Sequence, residues 1–259
     1  MRSSASPEML PRTRRFYAWE VAVVLALSLG RSAVYSVLAL AERLTQGALG
    51  EQQATLHSSA SPLPVFDVIY QVLDNVFALM PVVLVLYLVF LHGENPFRRF
   101  GLDLRRPVAD LLLGAGLFVL IGAGTVVVYG LGRSAGLTAE LVPADLGEGW
   151  WNVPVLVLTA ARHALLEEVV LIAYLFDRFR RLFPQQPVWV VIIAAAVLRG
   201  CYHLYQGIGP GIGNLLMGLV FGWVYHRYGR VMPLVVAHFL LDVVAFFAFP
   251  LIMAAAGIS

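Results

Sequence analysis

Long apolar runs broken by short polar, glycine- or proline-bearing connections set the pattern of this chain. Runs of about 20 apolar residues match helices that cross a hydrocarbon core of roughly 30 Å. The pattern predicts helices over 17–40, 65–91, 109–132, 153–177, 187–205, 212–228 and 231–256, which gives seven spans. Residues 42–64, polar and holding Pro62 and Pro64, read as an external loop. Residues 92–108, with Gly93, Pro96 and Pro107, read as a basic cytoplasmic one, and neither an internal repeat nor a soluble domain is visible.

Composition narrows this to an all-α polytopic membrane protein, because 59% of the 259 residues are hydrophobic and only 13% are charged. The net charge of +2 matters less than where the basic residues fall, and all 18 are arginine. Arg2, Arg12, Arg14 and Arg15 precede the first span, Arg98, Arg99, Arg105 and Arg106 follow the second, Arg178, Arg180 and Arg181 the fourth, and Arg227 and Arg230 the sixth. The alternate connections carry only Arg43 and Arg133 or none, so the positive-inside rule predicts a cytoplasmic N-terminus and an external C-terminus. Trp150, Trp151 and Trp189 fall near span ends, as interfacial anchors do.

Three regions follow: a basic cytoplasmic tail (1–16), N-terminal transmembrane helices (17–149) and a C-terminal bundle (150–256) that would carry the chemistry. Ala39-Leu40-Ala41 looks like a processing site, but the run before it is too long and is interrupted by Glu20 and Arg31, so a retained first helix is expected. Cys201, the only cysteine, lies in an apolar run and reads as packing. An arginine-only chain without eukaryotic targeting signals points to a bacterial plasma membrane. The expected partners are the bilayer and a membrane-associated protein or peptide rather than nucleic acid, and oligomeric state is not legible.

Ionisable groups inside spans are costly and mark functional sites. Glu167 and Glu168 lie side by side in the fourth span, His203 in the fifth, and His238 and Asp242 in the last. Neighbouring residues of an α-helix point about 100° apart, so the two carboxylates are expected to face different surroundings and do different work. One would hold and deprotonate a water, while the other would need a cation to stay ionised. Arg199 and His203 share a face at i, i+4, as do His238 and Asp242, and the latter pair suits a metal ligand with its orienting partner or an oxyanion donor pair. The plainer alternatives are a structural ion-pair cluster at Glu167-Glu168, a packing histidine at His203, and a self-satisfied His238–Asp242 hydrogen bond. His163, four residues before Glu167, can join the same face. Glu20, Arg31, Asp67 and Asp74 read as span-end, inter-helix or cavity-lining residues.

The paired glutamates, the histidine of the next span and the final His-x-x-x-Asp, all within 150–250, resemble the CPBP family of intramembrane proteases. That family includes CAAX prenyl endopeptidases and bacterial lysostaphin-resistance (Abi) and bacteriocin-immunity proteins. The resemblance implies a hydrolase in which Glu167 activates water, His203 positions or ligates it, and His238 with Asp242 completes a metal site or stabilises the oxyanion. Glu168 matches the second glutamate, which in the family pairs an arginine one turn later. Here that position is Ile172, and Arg199 stands four before His203 where the family usually has phenylalanine. Arg199 is therefore expected to pair Glu168 from the neighbouring helix, with Arg162 the less favoured partner at six residues. The chain lacks His-Glu-x-x-His, so Zn²⁺ on Glu167, His203 and His238 and a metal-free glutamate route both stay open. A non-catalytic immunity or scaffold protein and a proton-coupled transporter are the alternative functions.

Depth gives an internal check. At 1.5 Å per residue, Glu167 sits roughly 15 Å and His238 about 10 Å from the cytoplasmic ends of their spans. His203 falls deeper, and only a tilted or late-starting fifth helix would bring it level.

Overall fold

In the computed structural model, which describes residues 11–146 and 149–258, the apolar runs are helices. They are α1 (Pro11–Ala26), α2 (Leu29–Gln46), α3 (Pro64–Ala78), α4 (Met80–Leu91), the short α5 (Pro96–Phe100) and α6 (Pro107–Ser134). The later half has α7 (Asn152–Leu166), a π-helical stretch over Glu167–Tyr174, α8 (Leu175–Leu182), α9 (Trp189–Tyr202), α10 (Ile208–Tyr228), α11 (Met232–Phe247) and α12 (Phe249–Ala255). Proline stands in the first turn of α3, α4, α5, α6, α11 and α12, where no intrahelical partner exists for the missing N–H. Residues 1–10 of the expected basic tail, Arg2 among them, lie outside the described residues, as does the Arg12 side chain.

Two expected spans are bent. Helices α1 and α2 meet at 49°, and the Ser28 hydroxyl donates to the Val24 carbonyl over 2.6 Å at that break. Helices α11 and α12 meet at 77°. The fold is an all-α polytopic membrane fold. By length and hydropathy, three helices of the described residues suffice to cross a membrane, or five if each bent pair counts as one span. Seven spans requires Asn152–Leu182, interrupted by buried charge, and the 14-residue α9 to cross as well.

The core gathers on the π-helical stretch. Every side chain from Glu168 to Tyr174 is fully enclosed, packed among residues of α1, α4, α9, α10 and α11. Small residues let helices approach closely: a Cβ on Gly218 of α10 would stand 2.7 Å from the Ala196 Cα of α9. A Cβ on Gly114 of α6 would stand 2.7 Å from the Val236 side chain of α11.

The loops expected to be irregular carry a small parallel ladder. Strand β1 (Gln53–Thr55) pairs with β2 (Glu140–Val142), with Ala54 opposite Leu141. A further bridge joins Thr138 to Gly207, whose φ of 116° favours glycine and whose surroundings leave no space for a Cβ. This strap lies against the end of α9, and the backbone N–H of Tyr205 donates to Ser36 Oγ of α2 over 2.7 Å.

At the opposite, arginine-rich end, charges are stapled. Arg178, fully buried, donates to Glu20 and Asp177 over 2.7 Å each, Arg99 reaches Asp177 at 2.6 Å, and Arg181 bridges Glu94 and Asp177. Arg230, between α10 and α11, holds Asp110 at 2.6 Å and Asp103 at 2.9 Å.

Candidate active site

Glu167 and Glu168 open the π-helical stretch, where i→i+5 bonding takes more residues per turn than the α-helix and makes successive side chains diverge less. Both carboxylates consequently point into one cluster with His238: each of the three offers a ligand atom, and these atoms lie within 4.8 Å of one another. This corrects the expectation, drawn from α-helical geometry, that the pair faces different surroundings. A division of labour survives in their contacts.

Glu168, fully enclosed, accepts from Arg199 Nη2 at 2.6 Å and from His238 Nδ1 at 2.7 Å, both on Oε1. An ionised carboxylate only accepts, so Nδ1 of His238 carries a proton and Nε2 is the nitrogen turned inward. That Nε2 lies 4.0 Å from Glu167 Oε2 and 3.6 Å from Asp242 Oδ1. Glu167 Oε2 also receives the Tyr202 hydroxyl at 2.7 Å, with Arg199 Nη1 at 3.9 Å and His203 Nε2 at 3.8 Å. All five candidate residues, Glu167, Glu168, His203, His238 and Asp242, thus meet at one place, with Arg199 beside them.

The depth mismatch expected for His203 is absent. The fourth run continues through α8 to Leu182, placing Glu167 about 22 Å from that end, while His203 lies about 21 Å from the start of α9 at Trp189. The two ends are neighbours in sequence, so equal depth brings the side chains level.

Arg162 does not reach Glu168. Its Nε donates to Asn75 Oδ1 of α3 at 2.9 Å and its Nη2 to His163 Nε2 at 2.7 Å, and His163 Nδ1 meets Asp242 Oδ2 at 3.1 Å. Sequence reasoning missed Tyr202 and Asn75. Tyr202 adjoins His203 and follows Arg199 by three residues, and Asn75 is, with Gln71, one of two amides in an apolar run, so the signals were present but weak. Of the other charged residues, Glu20 pairs Arg178, Asp67 accepts from Ser59 and from the Ala60 N–H, and Arg31 and Asp74 line a cavity.

The site opens onto a cavity of about 220 Å³ lined by Arg162, His163, Glu167, Tyr202, His203, His238 and Asp242, with Leu56 of the strap on its wall. A larger hollow of about 790 Å³ between α2 and α3 shares Ser32, Arg162 and Leu166 with it.

The donor set fits a metal ion. The ligand atoms that lie within 4.8 Å of one another are those of Glu167, Glu168 and His238. His203 Nε2, buried without a hydrogen-bond partner, reaches Glu167 at 3.8 Å, and Asp242 reaches His238 at 3.6 Å, without joining that group. Glu168, already bound by two donors, is better suited to orienting His238 than to ligation.

Residues 149–244 match the family model described as Type II CAAX prenyl endopeptidase Rce1-like. The match contains every motif on which the CPBP resemblance rests and supports an intramembrane endopeptidase. No curated protein and no solved structure matches.

Proposed function

We propose that this protein hydrolyses a peptide bond of a membrane-associated protein or peptide, with Glu167 as general base. One observation carries the reading: a buried glutamate oxygen with two imidazole Nε2 atoms at 3.8 and 4.0 Å, facing a cavity large enough for water and a peptide group.

A water between these three groups loses its proton to Glu167 as its oxygen attacks the scissile carbonyl. The oxyanion of the tetrahedral adduct faces His203, which donates to it from Nε2–H, while His238 Nε2, bare in the Nδ1–H tautomer, accepts the second hydrogen of the attacking water. As the C–N bond breaks, Glu167 returns the proton to the leaving nitrogen. Tyr202 donates to Glu167 and Glu168 fixes the tautomer of His238, so both act through their neighbours. A Zn²⁺, were it held by His203 and His238 with Asp242 orienting or adding a ligand, would lower the pKa of the water and polarise the carbonyl, with Glu167 left as the base. The weak 3.4 Å contact from His203 Nδ1 to the Gln206 amide suits either tautomer of His203 once that amide is turned.

The strap covers one side of the site, so the hollow between α2 and α3 is the route we assign to the substrate. The arginine-rich end faces the cytoplasm of a bacterial plasma membrane in this reading, by the positive-inside rule. The test compares membrane-protein termini, and metal content of the purified protein, between cells carrying the native chain and Glu167→Gln. New termini present only with the native chain are expected. Identical termini, or a phenotype that survives Glu167→Gln, would mark a binding protein instead, and a solute flux in proteoliposomes would mark a transporter.

A further inference from the structure

A chain of hydrogen bonds approaches Asp242 from outside the catalytic motifs. It begins on α3, where Asn75, nearly fully buried, donates from Nδ2 to Thr159 Oγ1 at 3.1 Å and to the Gln71 carbonyl at 2.9 Å. Its Oδ1 then accepts from Arg162 Nε at 2.9 Å, which fixes the plane of that guanidinium. Arg162 Nη2 lies 2.7 Å from His163 Nε2, and His163 Nδ1 lies 3.1 Å from Asp242 Oδ2.

The protonation of His163 follows from donor and acceptor inventory. A guanidinium carries only donors and keeps its charge, so at 2.7 Å the facing imidazole nitrogen has to be an acceptor. Two N–H groups opposed at that distance would repel. The proton of the neutral ring therefore sits on Nδ1, aimed at Asp242. Once Oδ2 is held, the other oxygen of the carboxylate is the one presented to His238 Nε2, at 3.6 Å.

We infer that His163 is a positioning residue, a neutral imidazole locked by Arg162 as the Nδ1–H tautomer, which aims Asp242 at His238. The kinetic part rests on the peptidase reading; the hydrogen-bond chain does not. It also gives α3, outside the matched segment, a hand in the geometry of the site.

The test has two arms on the full-length chain in bilayers. In the first, ¹⁵N-histidine solid-state NMR assigns His163 as the signal lost in His163→Asn. A protonated Nδ1 with a bare Nε2 is expected, and a protonated Nε2 or a doubly protonated ring would overturn the inference. In the second, His163→Leu is expected to lower kcat about 10- to 100-fold, the usual cost of losing such an orienting partner, with KM little changed. His163→Asn, whose amide N–H can stand where Nδ1–H stood, is expected to recover most of kcat. In an Asp242→Ala background His163→Leu should cost nothing further. An undiminished cost there, or no recovery with His163→Asn, would assign His163 a role unrelated to Asp242. If the native chain cleaves nothing, the peptidase reading fails while the NMR arm still decides the tautomer.

Discussion

Glu168 Oε1 carries two short contacts at once, to Arg199 and to His238, so a change at either end of the ion pair reaches the imidazole. Arg199→Leu leaves an enclosed carboxylate without its cation, and a destabilisation of about 3–5 kcal/mol is expected in thermal unfolding. Exchanging the partners, Glu168→Arg with Arg199→Glu, should recover part of that stability. It should not recover turnover, because an arginine at 168 cannot accept from His238 Nδ1. Equal recovery of both would remove Glu168 from the orientation of His238. Tyr202→Phe removes the donor to Glu167 and is expected to lower kcat about tenfold, the order of a hydrogen bond to a charged group. At this scale the sequence spoke unevenly. The missing arginine at Ile172 and the unusual one at Arg199 together predicted a contact between helices, whereas Tyr202 reads as packing until its hydroxyl is seen beside Glu167.

At the scale of elements, the site depends on one irregular helix and one short one. The π-helical stretch brings two neighbouring carboxylates into one cluster, and α9 ends where Glu167 lies. Neither was legible, because a fully enclosed run has no polar face to report its helical period, and a hydropathy window cannot tell where α8 ends. Legible were the apolar runs and the i, i+4 pairing of His238 with Asp242, which depends on local geometry alone. The close approach of α9 and α10 at Gly218 offers a test. Gly218→Leu is expected to part the two helices, cost about 1–3 kcal/mol in thermal unfolding, and reduce turnover by moving His203 away from Glu167. Undiminished turnover would show that His203 tolerates displacement.

Across the whole molecule, the staples at the arginine-rich end hold helices whose packing in lipid lacks a hydrophobic drive. Burial opposes the charge of Asp103, yet the Arg105 backbone N–H and the Arg230 guanidinium hold its carboxyl below the usual carboxylate range. A pKa lower in the folded than in the unfolded state gives stability that is complete above the unfolded value of ~3.9 and lost as pH falls through the folded one. Arg230→Ala should therefore be less stable than the native chain at neutral pH, and the difference should narrow in acid. Unfolding temperatures across that range check it, and a constant difference would deny the pairing. The topology is testable by reporter fusions, with the N-terminus expected inside and the C-terminus outside.

The segment that bears the motifs is not the unit that folds around them. Asn75 anchors Arg162, Glu20 neutralises the enclosed Arg178, Ser36 accepts from Tyr205, and the ladder sews residues 53–55 to 140–142. A fragment cut at residue 150 would lose Asn75, Glu20, Ser36 and the whole ladder together, leaving buried guanidinium groups and one flank of the candidate site's cavity open to lipid. Minimising this protein to the matched region would thus dismantle it, whereas two halves severed in the loop between α4 and α5 and produced together retain every one of these partnerships.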